Sequence, residues 1–133
     1  MIRYATIEDL DWITYVFNSN KVWTSYDEIK TSIESRQALV DDDTRTALLY
    51  MDRDNYVYIN AVASEKKGFG GALKVASYLI IMCGKPIRFA VEIGSDWENY
   101  ILNDEYASKR HTLIGTKDIY HIYEAIDERW LTI

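Results

Sequence analysis

Apolar positions in this chain recur at two spacings, one residue in two and one turn apart, with polar start and stop signals between the segments. Ile2–Ala5 predicts a short strand. Thr6-Ile7-Glu8-Asp9 follows as a capping-box variant, with Asp9 placed to reach back to the first amide. Leu10, Ile13 and Phe17 then fall on one helical face, and that helix runs out near Asn18-Ser19-Asn20. A second box, Ser25-Tyr26-Asp27-Glu28, opens another helix, with Ile29 and Ile33 one turn apart. Gln37–Val40 and Thr46–Met51 read as strands flanking a turn at Asp41-Asp42-Asp43. Arg53-Asp54-Asn55 turns the chain into Tyr56–Ala63, so the three strands form an antiparallel meander.

The second half continues the alternation. Ala72–Cys83 predicts a helix stopped by Gly84 and Pro86, and Ile87–Ile93 a central strand ended by Gly94. Ser95-Asp96-Trp97-Glu98 starts a helix through about Tyr106, and His111–Ile114 and Ile119–Ile133 supply two closing strands. The order is β-α-α-β-β-β-α-β-α-β-β. Residues 56–93 make a strand–helix–strand crossover and the rest is antiparallel, which gives an α/β chain with a mixed sheet and helices on both faces.

Composition narrows the function classes. A chain of 133 residues, 48% apolar and 27% charged, fits one globular domain over residues 1–133, with no repeat or low-complexity segment inside it. Val75–Cys83, the longest apolar stretch, is too short to span a bilayer, and the N-terminus has no apolar signal core. The lone Cys83 excludes an internal disulfide and suits a reducing, cytoplasmic setting. With only His111 and His121 beside it, the chain lacks the ligand set of a structural zinc site, and no metal is expected. A net charge of −6 argues against a nucleic-acid binder and fits a cationic partner or simple solubility. Four Trp and eleven Tyr suit core packing and equally suit ligand clefts and interfaces.

The candidate chemistry begins at Ser64-Glu65-Lys66-Lys67-Gly68-Phe69-Gly70-Gly71, where three of the chain's six glycines sit between a strand and a helix. The mononucleotide loop and the dinucleotide fingerprint both fail here, because Leu73 stands where each needs glycine. What is left is G-x-G at a helix start. Unpaired amides there favour an anion, and glycine lets a phosphate approach without a Cβ in the way. An ordinary strand-to-helix turn has the same local sequence, so the motif alone leaves both readings open.

The N-terminal "IRYATIEDLDWI", two helices, a three-strand meander and "EKKGFGGAL" together resemble the GNAT superfamily of N-acetyltransferases over nearly the whole chain in element order. The family's acetyl-CoA pyrophosphate motif, [Q/R]-x-x-G-x-[G/A], falls on Glu65 to Gly70, with Gly68 and Gly70 matching. The resemblance implies that amides of Lys66, Lys67, Gly68, Phe69, Gly70 and Gly71 hold the pyrophosphate. It also implies that Ala61, Val62 and Ala63 pair by backbone with the pantetheine arm. Glu65 departs from the usual Gln or Arg, and a carboxylate near a pyrophosphate is repulsive by about 1 kcal/mol or more. Asn99 and Tyr106 stand seven residues apart, like the family's later Asn and Tyr, which contact pantetheine and protonate the departing thiolate. The usual following Gly-Phe is replaced by Arg110-His111.

Glu92, in the strand after the glycine-led helix, is the carboxylate best placed to take the amine's proton, with Tyr58 or Asn60 positioning water. Trp23, between the first two helices, can wall an acceptor pocket or pack in the core. Lys74 can reach a phosphate or simply face solvent, and His111 and His121 read as structural. Two functions follow: direct acetyl transfer from acetyl-CoA to an amine of a small molecule or protein, or a non-catalytic interaction or assembly protein on a degenerate version of the fold. Neither involves nucleic acid or membrane, and a homodimer stays open.

Overall fold

The computed structural model describes residues 1–127, so the last part of the segment expected to form the closing strand, 128–133, lies outside the described residues. Contacts group the chain into two compact units. The first is Met1–Asp52 with Ile59–Leu79; the second is Arg53–Tyr58 with the chain from Ile80 onward.

In the first unit, strand β1 (Ile2–Tyr4) leads into a 3-10 turn (Ile7–Asp9) that continues as helix α1 (Leu10–Ser19). The expected reach-back is present: the Thr6 amide donates to Asp9 Oδ2 at 2.8 Å. Helix α2 (Tyr26–Glu34) is capped by Ser25, whose hydroxyl accepts from the Glu28 amide. Strands β2 (Ala38–Asp41), β3 (Thr46–Asp52) and β4 (Val57–Ser64) follow in sheet order β1-β2-β3-β4. Helix α3 (Gly71–Cys83) begins one residue earlier than its apolar pattern predicts.

Both faces of β2 and β3 are buried, for different reasons. Ala38, Val40, Ala47, Leu49, Ala61 and Ala63 pack with Leu10, Ile13, Val16, Phe17, Ile29 and Ile33 in one core beneath α1 and α2. The alternate residues of the same strands, Leu39, Asp41, Thr46 and Leu48, are also buried, and Lys74 of α3 reaches Asp41 on that side. Helices therefore cover both faces of this part of the sheet, which is why these strands read as near-continuous apolar runs.

Asp41 belongs to β2 rather than to the turn expected at 41–43. It pairs with Ile2 and Thr46, and its carboxylate is fully buried. Its partners explain that placement. The Thr44 hydroxyl donates to Oδ2 at 2.6 Å, and a row of hydroxyls continues from Thr44 to Thr46 at 2.7 Å and from Thr46 to Ser64 at 2.6 Å. Burial opposes the charge, yet the Thr44 hydroxyl and the Lys74 ammonium outweigh it and hold Asp41 well below the usual carboxylate range.

In the second unit, the start of β4 pairs in parallel with β5 (Ile87–Glu92), through Val57↔Ile87 and Tyr58↔Arg88. Beyond β5 lie β7 (Tyr120–Ala125) and then β6 (His111–Lys117), both antiparallel. Helix α4 (Asp96–Asn103) starts at Ser95, as its capping box predicts. The helix expected to reach Tyr106 instead ends at Asn103, and a separate helix α5 (Glu105–Arg110) follows. Asp104 causes the break: it leaves the helical conformation and its carboxylate accepts from the amides of Tyr106 and Ala107, starting a new helix.

The seat of α3 yields a stability prediction. A Cβ built on Gly71 would lie 2.0 Å from Thr46 Oγ1, 2.5 Å from Thr44 Oγ1 and 2.9 Å from Ser64 Oγ. Gly71→Ala must push the helix off that hydroxyl row. The expected cost is about 1–3 kcal/mol, seen as a lower urea midpoint. An unchanged midpoint contradicts this seating.

Candidate functional site

The loop between β4 and α3 shows why the chain spends three glycines there. Gly68 and Gly70 have φ of +84° and +71°, a region L side chains rarely adopt, and a Cβ on either meets nothing within 4 Å. Gly71, by contrast, is closed in by the hydroxyl row. Two glycines thus shape an open loop and the third lets the helix dock.

The first intrahelical bond of α3 runs from the Lys74 amide to the Gly70 carbonyl. The amides of Gly71, Ala72 and Leu73 therefore precede the hydrogen-bonded ladder, and Gly70 has no side chain to accept them. Helices α2, α4 and α5 start differently, on Ser25, Ser95 and Asp104. The start of α3 combines unspent donors, the positive end of a helix dipole and unfilled space over Gly68 and Gly70. That chemistry suits a diphosphate or another compact anion.

The charged residues around the loop are arranged differently from the sequence expectation. The Lys66 amide donates to the Thr44 carbonyl at 3.2 Å and its ammonium to the Asp43 carbonyl at 3.1 Å, so both bind the β2–β3 turn. Lys74 is paired with Asp41 at 3.1 Å, neither reaching outward to a phosphate nor merely solvated. Glu65 pairs with Arg45 at 3.2 Å. Lys67 and Phe69 are exposed, and Ala61 and Ala63 turn their side chains into the core, leaving only their backbone for an extended ligand. Val62 is half-buried and Trp23 is 89% exposed, so the core role open to Trp23 does not hold.

Of the remaining site residues, Tyr58, Glu92, Asn99 and Tyr106 belong to the second unit and Asn60 to the first. Glu92 is exposed at the end of β5, opposite Tyr120, and Asn99 is exposed on α4. Tyr106 is exposed at the start of α5 rather than at the end of the helix that carries Asn99. Their seven-residue spacing therefore spans two helices. Tyr58 is half-buried on β4 and Asn60 is exposed.

A cluster that sequence reasoning missed lies beneath α4. The buried Glu98 carboxylate accepts from the Gly94 amide at 3.0 Å and from the Tyr123 hydroxyl at 2.8 Å, and it contacts His121 Nδ1. The Gly94 amide, then His121, pull its pKa down to about 2. Burial and the neighbouring carboxylate push Tyr123 up to about 12. His111 binds the Ala107 carbonyl and packs edge-on against Phe89, and burial lowers its basicity. Both histidines have structural partners, in line with the sequence expectation. The only local signal for the cluster was Glu98's place in a capping box.

No family model and no curated protein matches this chain. Solved structures do. An acetyltransferase of the GNAT family from Bacillus cereus superposes with a TM-score of 0.74 at 15% identity, covering 96% of each chain. The fold is that of the GNAT acetyltransferases. The ribosomal-protein-S18-alanine N-acetyltransferase from Escherichia coli gives 0.72 at 11% identity, over 94% of this chain and 92% of that one. The PaiA N-acetyltransferase from Thermoplasma acidophilum, solved in complex with coenzyme A, gives 0.61 at 15% identity over 96% and 98%. At these identities the GNAT likeness is one of fold. Among the described residues no group of His, Cys, Asp and Glu is placed to hold a metal, and no helix is long and apolar enough to cross a membrane.

The depressed Glu98 carboxyl sets a pH dependence. Its stabilising effect is complete above the unfolded carboxyl value of about 4.3 and is lost as pH falls towards about 2. Between pH 5 and 2.5 the wild type should lose more stability than Glu98→Gln, measured by urea midpoints at each pH. Parallel curves for the two proteins contradict this.

Proposed function

We propose that this protein is an acetyl-CoA-dependent N-acetyltransferase of the GNAT superfamily, working by direct transfer to an amine. The observation that carries the reading is the start of α3: free amides at Gly71–Leu73 behind two positive-φ glycines with open space above them. A diphosphate fits that donor set, and the loop offers its backbone where a side chain would block approach. The GNAT fold raises the prior for this ligand, since one structural neighbour was solved with coenzyme A.

In this reading the amides of Lys67 to Leu73 hold the diphosphate, and the backbone of Ala61–Ala63 pairs with the pantetheine arm. The Lys66 amide is left out, because Thr44 takes it. Bound acetyl-CoA supplies an activated acyl group as its thioester. Glu92 accepts the proton of the incoming amine, and the exposed Tyr106 hydroxyl returns a proton to the sulfur as the C–S bond breaks and the C–N bond forms. Trp23, fully outward between α1 and α2, offers an apolar wall to the acceptor. The net charge of −6 favours a cationic amine, whether a small molecule or a protein segment.

A second reading, a non-catalytic assembly module, draws on the exposed aromatics Tyr15, Trp23, Phe69 and Tyr106. Titration calorimetry with acetyl-CoA separates the two. The enzyme reading expects binding at micromolar to millimolar concentration. It expects at least about tenfold weaker binding for Gly68→Asn, because asparagine tolerates positive φ while filling the approach space. Gly68→Val should abolish binding altogether. A folded wild type that ignores millimolar acetyl-CoA rules the enzyme reading out. Undiminished binding by Gly68→Asn rules out the amide cradle.

A further inference from the structure

Glu65 puts a carboxylate at the mouth of a loop suited to a diphosphate, and its surroundings show how the chain tolerates it. Arg45 Nε lies 3.2 Å from Glu65 Oε2, and the Arg45 carbonyl accepts the Glu65 amide at 3.0 Å. Both ends of Glu65 are thus held by one residue of the β2–β3 turn. Arg45 itself is fixed on its far side, its guanidinium 4.3 Å over the ring of Trp12. The Trp12 indole N–H donates to Asp9 Oδ1 at 2.9 Å, and Arg3 grips Asp9 with two nitrogens at 2.8 and 3.0 Å. The same Arg3 binds Asp42 of the turn through Nε and Nη2, both at 2.9 Å. A closed circuit therefore runs from the turn through β1, the start of α1 and Trp12 back to Arg45.

We infer that Arg45 is a positioning residue for the glycine loop: it draws the Glu65 carboxylate to itself and cancels its charge, so that a diphosphate can enter a loop whose own sequence would repel it. This rests on the proposed coenzyme A reading of the loop. Charge cancellation, rather than stability, is the role the geometry fits. Glu65 and Arg45 are both exposed enough for the pair to add little to folding, whereas the placing of one negative charge beside a diphosphate changes binding directly. The stack on Trp12 asks for a planar cation, which lysine does not supply. Backbone bonds explain why the partner lies in this turn. The amides of Glu65 and Lys66 and the Lys66 ammonium are all bonded to carbonyls of Asp43, Thr44 and Arg45, which ties the start of the loop to the turn.

A double-mutant cycle read by coenzyme A calorimetry tests this on the full chain. Arg45→Ala should raise Kd about tenfold by freeing the Glu65 charge. Glu65→Gln should bind at least as well as wild type. The double variant Arg45→Ala/Glu65→Gln should return to within about threefold of Glu65→Gln. Melting curves run alongside identify a purely structural effect, since both Arg45→Ala proteins lose the Trp12 stack and only one regains binding. An unchanged Kd in Arg45→Ala, or a double variant as weak as Arg45→Ala, overturns the inference. A folded wild type that binds no coenzyme A removes the reading of the loop itself, a different result from a cycle that binds but shows no rescue.

Discussion

A row of hydroxyls places the first turn of α3, and the candidate site depends on that contact. Thr44, Thr46 and Ser64 hand hydrogen bonds along the row towards the buried Asp41, and Gly71 rests against all three. Only a residue without a side chain fits there. Because the helix must begin at that glycine, its leading amides emerge directly behind the loop, and Gly70, the residue in the capping position, has nothing with which to satisfy them. Asp41 fixes the seat further by holding Lys74, one turn along the helix. The anchor of the helix and the availability of its donors are thus two consequences of one packing choice.

The β2–β3 turn serves the same loop from the other side. It takes two of the loop's amides, one lysine and the Glu65 carboxylate. The loop is therefore braced where it leaves β4 and open where Gly68 and Gly70 bend it. A braced entry with an open, donor-rich exit suits a ligand held mainly by backbone, because the entropy of ordering the loop is already spent in the fold. The second unit follows a similar rule, with a buried carboxylate at Glu98 joining the entry to α4 to strand β7 through Gly94, His121 and Tyr123.

What the sequence made legible was local. Thr6 with Asp9, Ser25 and Ser95 announce three helix starts, and the spacing of Leu10, Ile13 and Phe17 identifies a buried face correctly. Gly68 and Gly70 were readable as a bend near a helix start. One helix was expected from Ser95 through about Tyr106 where there are two, because the Asp104 side chain caps a new start within that span. The reason for Gly71 was not legible, because the atoms it avoids belong to Thr44, Thr46 and Ser64 on other strands. Glu65 finds Arg45 across 20 residues and Glu98 finds His121 across 23, distances over which no local pattern speaks. The fold class was accessible because helix caps and periodicity are short-range. The electrostatics of the loop were not, because every partner is tertiary.

The most direct measurement of the central claim, that the uncapped start of α3 is an anion seat, is a two-dimensional amide proton–nitrogen NMR titration with desulfo-coenzyme A. The account predicts that the largest shifts fall on the amides of Gly68, Gly70, Gly71, Ala72 and Leu73, with the Lys66 amide, already bonded to Thr44, moving little. A titration that saturates while those five amides stay in place contradicts it.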